Sequence, residues 1–252
     1  MSGHSRWAGI KHKKAIIDAK RGKVFTRLAR EVTIAAKQGG GKPDSNPRLR
    51  AAMEAARAAN MPTENIKRAI QRGTGELPGV SFEEMTYEGY GPGGVAVIVE
   101  ATTDNKNRTT SDIRHLFDSH GGNLGASGSV SWMFEQKGYL TVPKQGNDED
   151  KISNLAIELG AEDIKSDDDD VFEIFTAPAD FETIKAKFTE AKIPLATAEI
   201  SLIPKNTVTL EGDQAKRCLD LMDALEEHDD VKTANANFDI SKETMEKVTS
   251  GQ

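Results

Sequence analysis

Near residue 73 the hydrophobic rhythm of the chain changes, and the change restricts the fold to a helical part followed by a mixed one. Before that point apolar residues recur at helical spacing. Phe25, Leu28, Val32 and Ala35 form one stripe, stopped by Gly39-Gly40-Gly41. Asn46 before Pro47 reads as a cap followed by proline at the first helical position, with Leu49, Met53 and Ala56 striped behind it. Asn60-Met61-Pro62 breaks that helix. Ile66, Ala69 and Ile70 stripe a third, closed by Gly73. A further helix over about 13 to 20 rests only on Ile16 and Ile17. Three short helices with alanine-rich faces predict a small bundle.

Gly73 to Gly79 reads as a linker, after which strand patterns dominate. Met85 to Tyr90 is expected to be a strand, turned by Gly91-Pro92-Gly93-Gly94 into Val95-Ala96-Val97-Ile98-Val99. The latter is apolar on both faces and so belongs at the centre of a sheet. Ile113, Leu116 and Phe117 mark a helix, and Val130 to Phe134 another strand. The next stretch has βαββαβ order: Tyr139 to Val142, a helix on Ile152, Leu155, Ala156 and Leu159, short strands at Ile164 and Val171 to Thr176, a helix on Phe181, Ile184 and Phe188, then Ala198 to Ile203. This is the ferredoxin-like pattern. Thr207 to Leu210, a helix on Cys218, Leu221, Met222 and Leu225, and a strand from Val231 to Phe238 follow. The expected class is α+β and multi-domain. A helical domain spans 1–75, a discontinuous α+β domain spans 80–136 and 205–240, and the βαββαβ unit at 137–204 is inserted in it.

Charge changes at the same boundary as rhythm. The chain of 252 residues is acidic overall, with a net charge of −7. Residues 1 to 72 nevertheless hold 17 Lys/Arg against 5 Asp/Glu, a surplus of +12, which leaves −19 on the rest. Such a split points to a polyanionic partner for the basic part. Lys11, Lys13, Lys14, Lys20, Arg21, Lys23, Arg27 and Arg30 crowd one segment with only Asp18 among them. Arg48, Arg50, Arg57, Lys67, Arg68 and Arg72 add charge to the next two helices. Clustered cations bind phosphates by releasing condensed counterions. The plainer alternative is a solvated helix face, but such faces mix both signs. Trp7 either stacks on an unpaired base or anchors the arm to the bundle.

Other motifs carry less chemistry. Gly89-Tyr90-Gly91-Pro92-Gly93-Gly94 fits G-x-G-x-x-G, yet it leads into a strand, where a dinucleotide site requires a helix. A hairpin turn accounts for it better. Asp104-Asn105-Lys106-Asn107-Arg108-Thr109 precedes a helix. Asn105, Lys106 and Arg108 could hold an anion there, while Asn107 or Thr109 could serve simply as a cap. The glycine-rich run from Gly121 to Ser129 lacks the spacing of a P-loop or a nucleophile elbow. Asp167-Asp168-Asp169-Asp170 lacks the spacing of a calcium loop and reads as a solvated turn. His115 and His120 are not spaced to share a metal on one helix face. One cysteine, Cys218, excludes an internal disulfide and a cysteine-based zinc site. No cofactor, metal or catalytic constellation is expected, nor a membrane span.

Gly3-His4-Ser5-Arg6-Trp7, Ile10-Lys11-His12-Lys13-Lys14 and Asp18-Ala19-Lys20-Arg21-Gly22-Lys23 resemble the opening of the YebC family. Asn60-Met61-Pro62, Tyr87 to Gly94, Thr103 to Thr109, Gly128 to Phe134 and Asn237-Phe238-Asp239 are similar to its later motifs. Arg6 stands where lysine is usual, and Ala234-Asn235-Ala236 is less aromatic than the common pattern. The resemblance covers almost the whole chain. It implies a helical domain followed by two α+β domains, one inserted in the other, and a role in gene expression. Bacterial members are labelled DNA-binding transcriptional regulators; others, including a mitochondrial translational activator, look like ribosome-associated translation factors. The expected function is therefore non-enzymatic regulation through nucleic acid by a cytoplasmic monomer. Its partner is DNA or, in the alternative, ribosomal RNA on the ribosome, with help at sequences that are hard to translate such as proline runs. The residues expected to contact nucleic acid are Arg6, Trp7, Lys11, His12, Lys13, Lys14, Lys20, Arg21, Lys23, Arg27, Arg48, Arg50, Lys67 and Arg68.

Overall fold

The computed structural model describes residues 21–241 and 243–245. The helix expected over about 13 to 20 lies outside them. The described chain opens with three helices: α1 (Arg21–Gly39), α2 (Pro47–Ala58) and α3 (Thr63–Thr74). Val32, Ala35 and Ala36 of α1 meet Leu49, Ala52 and Ala56 of α2 and Ile66 and Ala69 of α3 in one apolar cluster. The small side chains let the helices approach closely. Asn46 is buried, and its Oδ1 accepts the backbone N–H of Leu49 at 3.0 Å, capping α2 as its sequence signature requires. The third helix does not stop at Gly73. It runs to Thr74, and Gly75, at φ 81°, adopts the left-handed geometry that closes a helix. Gly73 serves packing instead. A Cβ there would lie 2.7 Å from the Cβ of Ala36 and closer still to the Thr33 carbonyl oxygen, so only glycine allows α3 to lie this near α1.

Beyond the linker, β1 (Glu83–Tyr90) and β2 (Ala96–Thr103) form an antiparallel pair. The turn between them includes Gly93 and Gly94, both at positive φ, so the glycine run is a hairpin connection. β2 pairs on its other side with β9 (Val231–Ala236), and two-residue β3 (Asn123–Leu124) pairs with β1. The sheet order is β3-β1-β2-β9. Val95, Val97, Val99 and Ala101 pack with Ile113 and Phe117 of α4 (Lys106–Ser119) and with Leu221, Met222 and Leu225 of α7 (Gly212–Glu227). On the opposite face Ala96 and Ile98 meet Val130 and Phe134. Both faces of β2 are therefore buried, as its continuous apolar run requires.

Val130 to Phe134 is not the expected strand. Ser131–Met133 forms one turn of 3-10 helix, and β4 runs over Phe134–Pro143, absorbing the separate strand expected at Tyr139 to Val142. The backbone N–H groups of Val130 and Ser131 are occupied at 2.8 Å by the Glu88 carboxylate, which removes them from any ladder. β4 is followed by α5 (Glu149–Glu158), β5 (Asp163–Lys165), β6 (Val171–Thr176), α6 (Phe181–Glu190) and β7 (Thr197–Pro204). The second sheet has order β5-β6-β4-β7 with every neighbouring pair antiparallel, the strand order of a ferredoxin-like unit. Between β5 and β6 one Asp168 oxygen accepts the backbone N–H groups of Asp170 and Val171, so the acidic run folds as a turn upon itself. The strand expected from Val231 to Phe238 divides at Asn237. Its Oδ1 accepts the Ala96 N–H at 2.7 Å, and β10 (Phe238–Ile240) then changes partner to pair in parallel with β8 (Val208–Leu210). No helix among the described residues is long and apolar enough to cross a membrane.

Candidate nucleic-acid interface

The cations of the helical segment divide into two sets, and helical geometry makes the division. Lys23, Arg27 and Arg30 recur at spacings of four and three, so they share one face of α1. That face meets the C-terminal end of α7 and the turn that follows. A helix ends in carbonyls without intrahelical partners and with negative partial charge. Lys23 Nζ donates to the Glu227 carbonyl at 3.0 Å, and Arg27 donates to the carbonyls of Glu226 and His228. Burial pulls the Arg27 pKa below its ordinary value, against the opposing charges of Glu226 and Asp229. Arg30 Nη1 donates to the Asp229 carbonyl at 2.7 Å and to Asp230 Oδ1 at 2.8 Å, and its guanidinium lies 5.4 Å from the Phe82 ring centroid. These three cations are spent on the protein itself.

Asp230 is the centre of this contact. It is 3% exposed, and besides Arg30 it accepts from Arg108 Nη2 at 2.8 Å, Thr109 Oγ1 at 2.6 Å and Thr103 Oγ1 at 3.3 Å. Burial pushes its pKa up. The hydroxyl of Thr109, the hydrogen bond from Arg108 and the positive charges of Arg30 and Arg108 more than offset that, holding the carboxyl below the usual range.

Arg108 therefore stands between two carboxylates, since it also meets Asp104 at 2.8 Å. Of the expected anion contact at Asn105, Lys106 and Arg108, only Arg108 meets the protein's own acids. The cap of α4 is Asn105, whose Oδ1 accepts the Arg108 N–H at 3.1 Å, rather than Asn107 or Thr109. Lys106 is exposed.

Arg48 is similarly engaged. It leaves α2 to meet Glu31 of α1 at 2.9 Å and Glu84 of β1, and the hydrogen bonds it donates to Glu84 raise its pKa. Arg50 is exposed and, among the described residues, donates to the carbonyls of Pro43 and Asp44. Arg57, Lys67, Arg68 and Arg72 form the second set. They are exposed on the outer faces of α2 and α3, and none has a carboxylate partner among the described residues. On α3 the core takes Ile66 and Ala69, so Lys67, Arg68 and Arg72 must point away from it. Arg21 opens α1. Arg6, Trp7, Lys11, His12, Lys13, Lys14 and Lys20 lie outside the described residues.

The partners of the engaged cations carried no sequence signal. Glu31, Glu84 and Asp230 are ordinary acids in composition, and Asp230 meets Arg30 across 200 positions.

Residues 5–76 match the family described as "TACO1/YebC protein N-terminal domain", and residues 82–238 match "TACO1/YebC second and third domain". The chain belongs to the TACO1/YebC family. Among its relatives is a protein of Endomicrobium trichonymphae, 57% identical over 98% of this chain and 99% of its own length. Another, from Persephonella marina, is 54% identical over 99% of this chain and 100% of its own. Both are named "Probable transcriptional regulatory protein". A crystal structure of a conserved hypothetical protein from Aquifex aeolicus superposes with a TM-score of 0.80 at 50% identity, covering 90% of this chain and 94% of that one. The likeness of this TACO1/YebC chain to its relatives thus extends over the helical segment and both four-stranded sheets.

Proposed function

We propose that this chain is a non-enzymatic, nucleic-acid-binding regulator of gene expression, a DNA-binding transcriptional regulator working as a monomer in the cytoplasm. The observation that carries the reading is the outward set of cations. Arg57, Lys67, Arg68 and Arg72 have no carboxylate partner among the described residues, on a segment with a surplus of +12 in a chain of net charge −7. Such cations gain most from a polyphosphate, because each phosphate they neutralise frees condensed counterions. The inward set of Lys23, Arg27, Arg30 and Arg48 holds the helical lobe against the acidic remainder, so the outward set is presented on a braced surface. The names of the relatives agree with a regulatory role.

Three domains are part of the same reading: residues 1–75, residues 80–136 with 205–240, and residues 137–204. Three of the four apolar clusters follow this division, and the fourth, where Leu202 packs against Ala96, Ile98, Val130 and Phe134, joins the last two units. The non-enzymatic part draws support from Cys218, whose thiol is buried and pushed up to about 12, far from the thiolate a nucleophile needs.

Crosslinking in cells followed by sequencing of both recovered DNA and recovered RNA tests the proposal. Enrichment of promoter DNA is expected. Recovery of ribosomal RNA without promoter enrichment would replace the transcriptional role by one on the ribosome, and recovery of neither would end the nucleic-acid reading.

A further inference from the structure

Helices α1 and α3 enclose a groove of about 260 Å³ near the start of α1. Its inner wall is apolar: Met61 and Ala69 are buried, and Phe25 and Ala29 are partly buried. Its edge is cationic, with Arg68 and Arg72 exposed one helical turn apart on α3. The groove is smaller than the roughly 300–1,000 Å³ of sites for drug-sized ligands, so it suits one flat ring rather than a peptide or a helix. An aromatic side chain inside and two guanidinium groups at the rim match a base and the phosphates that flank it. A paired base cannot enter, because both its faces are stacked within the duplex.

We propose that this groove receives one unpaired base of a DNA strand, its ring against Phe25 and its neighbouring phosphates on Arg68 and Arg72. The inference rests on the nucleic-acid-binding reading and adds that this lobe selects unpaired over duplex DNA at one position. Binding then requires a strand that is already open or a base that leaves its stack, and the energy of unpairing sets the preference.

Fluorescence anisotropy with the full chain tests it, using a mixed-sequence single-stranded DNA 12-mer and the corresponding duplex at matched salt. Asn65→Phe places a ring in the groove from an exposed position without changing charge. It should weaken the single strand about tenfold, the scale of one lost base stack, and leave the duplex within about twofold. Phe25→Leu keeps an apolar side chain and should act in the same direction, which covers the case that Asn65→Phe does not fold. Arg68→Ala with Arg72→Ala should weaken both forms, because phosphates are common to them. Equal loss for strand and duplex in the groove variants, or no loss in either, overturns the groove while leaving the basic-lobe reading intact. No binding of either DNA by the unmodified chain overturns that reading, and the groove with it.

Discussion

Replacing Asp230 by alanine should loosen the helical lobe from the rest of the molecule. Four donors converge on this carboxylate, two charged and two hydroxyl. Their contributions differ with exposure. Arg108 is 47% exposed, so solvent screens its pair and that pair adds little. Arg30 is only 16% exposed, and removing the partner of a buried pair costs about 3–5 kcal/mol. Arg30 keeps the Asp229 carbonyl and the Phe82 ring, which places its loss at or below the lower end. The expected total is about 3–4 kcal/mol, a large share of the roughly 5–15 kcal/mol that holds a typical domain. Urea unfolding should show the drop. Limited proteolysis should show where it acts, through faster cleavage in the exposed linker at Gly75 to Ser81. The pH dependence has a definite sign. The folded pKa of Asp230 lies below its unfolded value, so its contribution is present above about pH 4 and is lost as pH falls through the folded pKa. The difference between the unmodified chain and Asp230→Asn should accordingly shrink in acid. Unchanged stability at pH 7, or a double-mutant coupling with Arg30→Ala under about 0.5 kcal/mol, would refute the reasoning.

Two further substitutions test the packing. Gly73→Ala should destabilise the chain by about 1–2 kcal/mol in urea unfolding, although alanine favours a helix by about 1 kcal/mol, because overpacking against Thr33 and Ala36 costs about 1–3 kcal/mol or more; a gain in stability would show that α1 and α3 can separate freely. Glu88→Gln should cost about 2–4 kcal/mol, since this 6% exposed carboxylate accepts three backbone N–H groups, from Gly128, Val130 and Ser131, and an amide nitrogen would face one of them. Hydrogen exchange at those three amides should rise, and unaltered protection would contradict the assignment.

Local structure was the most legible part of the sequence. The Asn46 cap, the helical stripes and the doubly buried β2 follow from short-range spacing, and the βαββαβ order predicts the strand order of the second sheet. Errors arose where a distant group decided the outcome. Val130 to Phe134 has a strand composition, but Glu88, some 40 positions earlier, takes its donors. Gly73 looks like a helix stop because its neighbour across the bundle cannot be seen from sequence. The cluster of cations was visible, and its division was not. Helical spacing places Lys23, Arg27 and Arg30 on one face, but only the fold brings the end of α7 and Asp230 against that face. Sequence counting therefore could not separate the cations that meet partners within the protein from those left facing outward.

The salt dependence of DNA binding by the full chain, compared with a variant carrying alanine at Arg57, Lys67, Arg68 and Arg72, tests this division most directly. Each phosphate contact on duplex DNA contributes about 0.9 to the slope of log affinity against log salt. If the outward cations are the contacts, the variant should remain folded by circular dichroism and lose about 3–4 units of slope. A variant that binds with the unmodified slope would contradict the account and return the interface to some other surface of the chain.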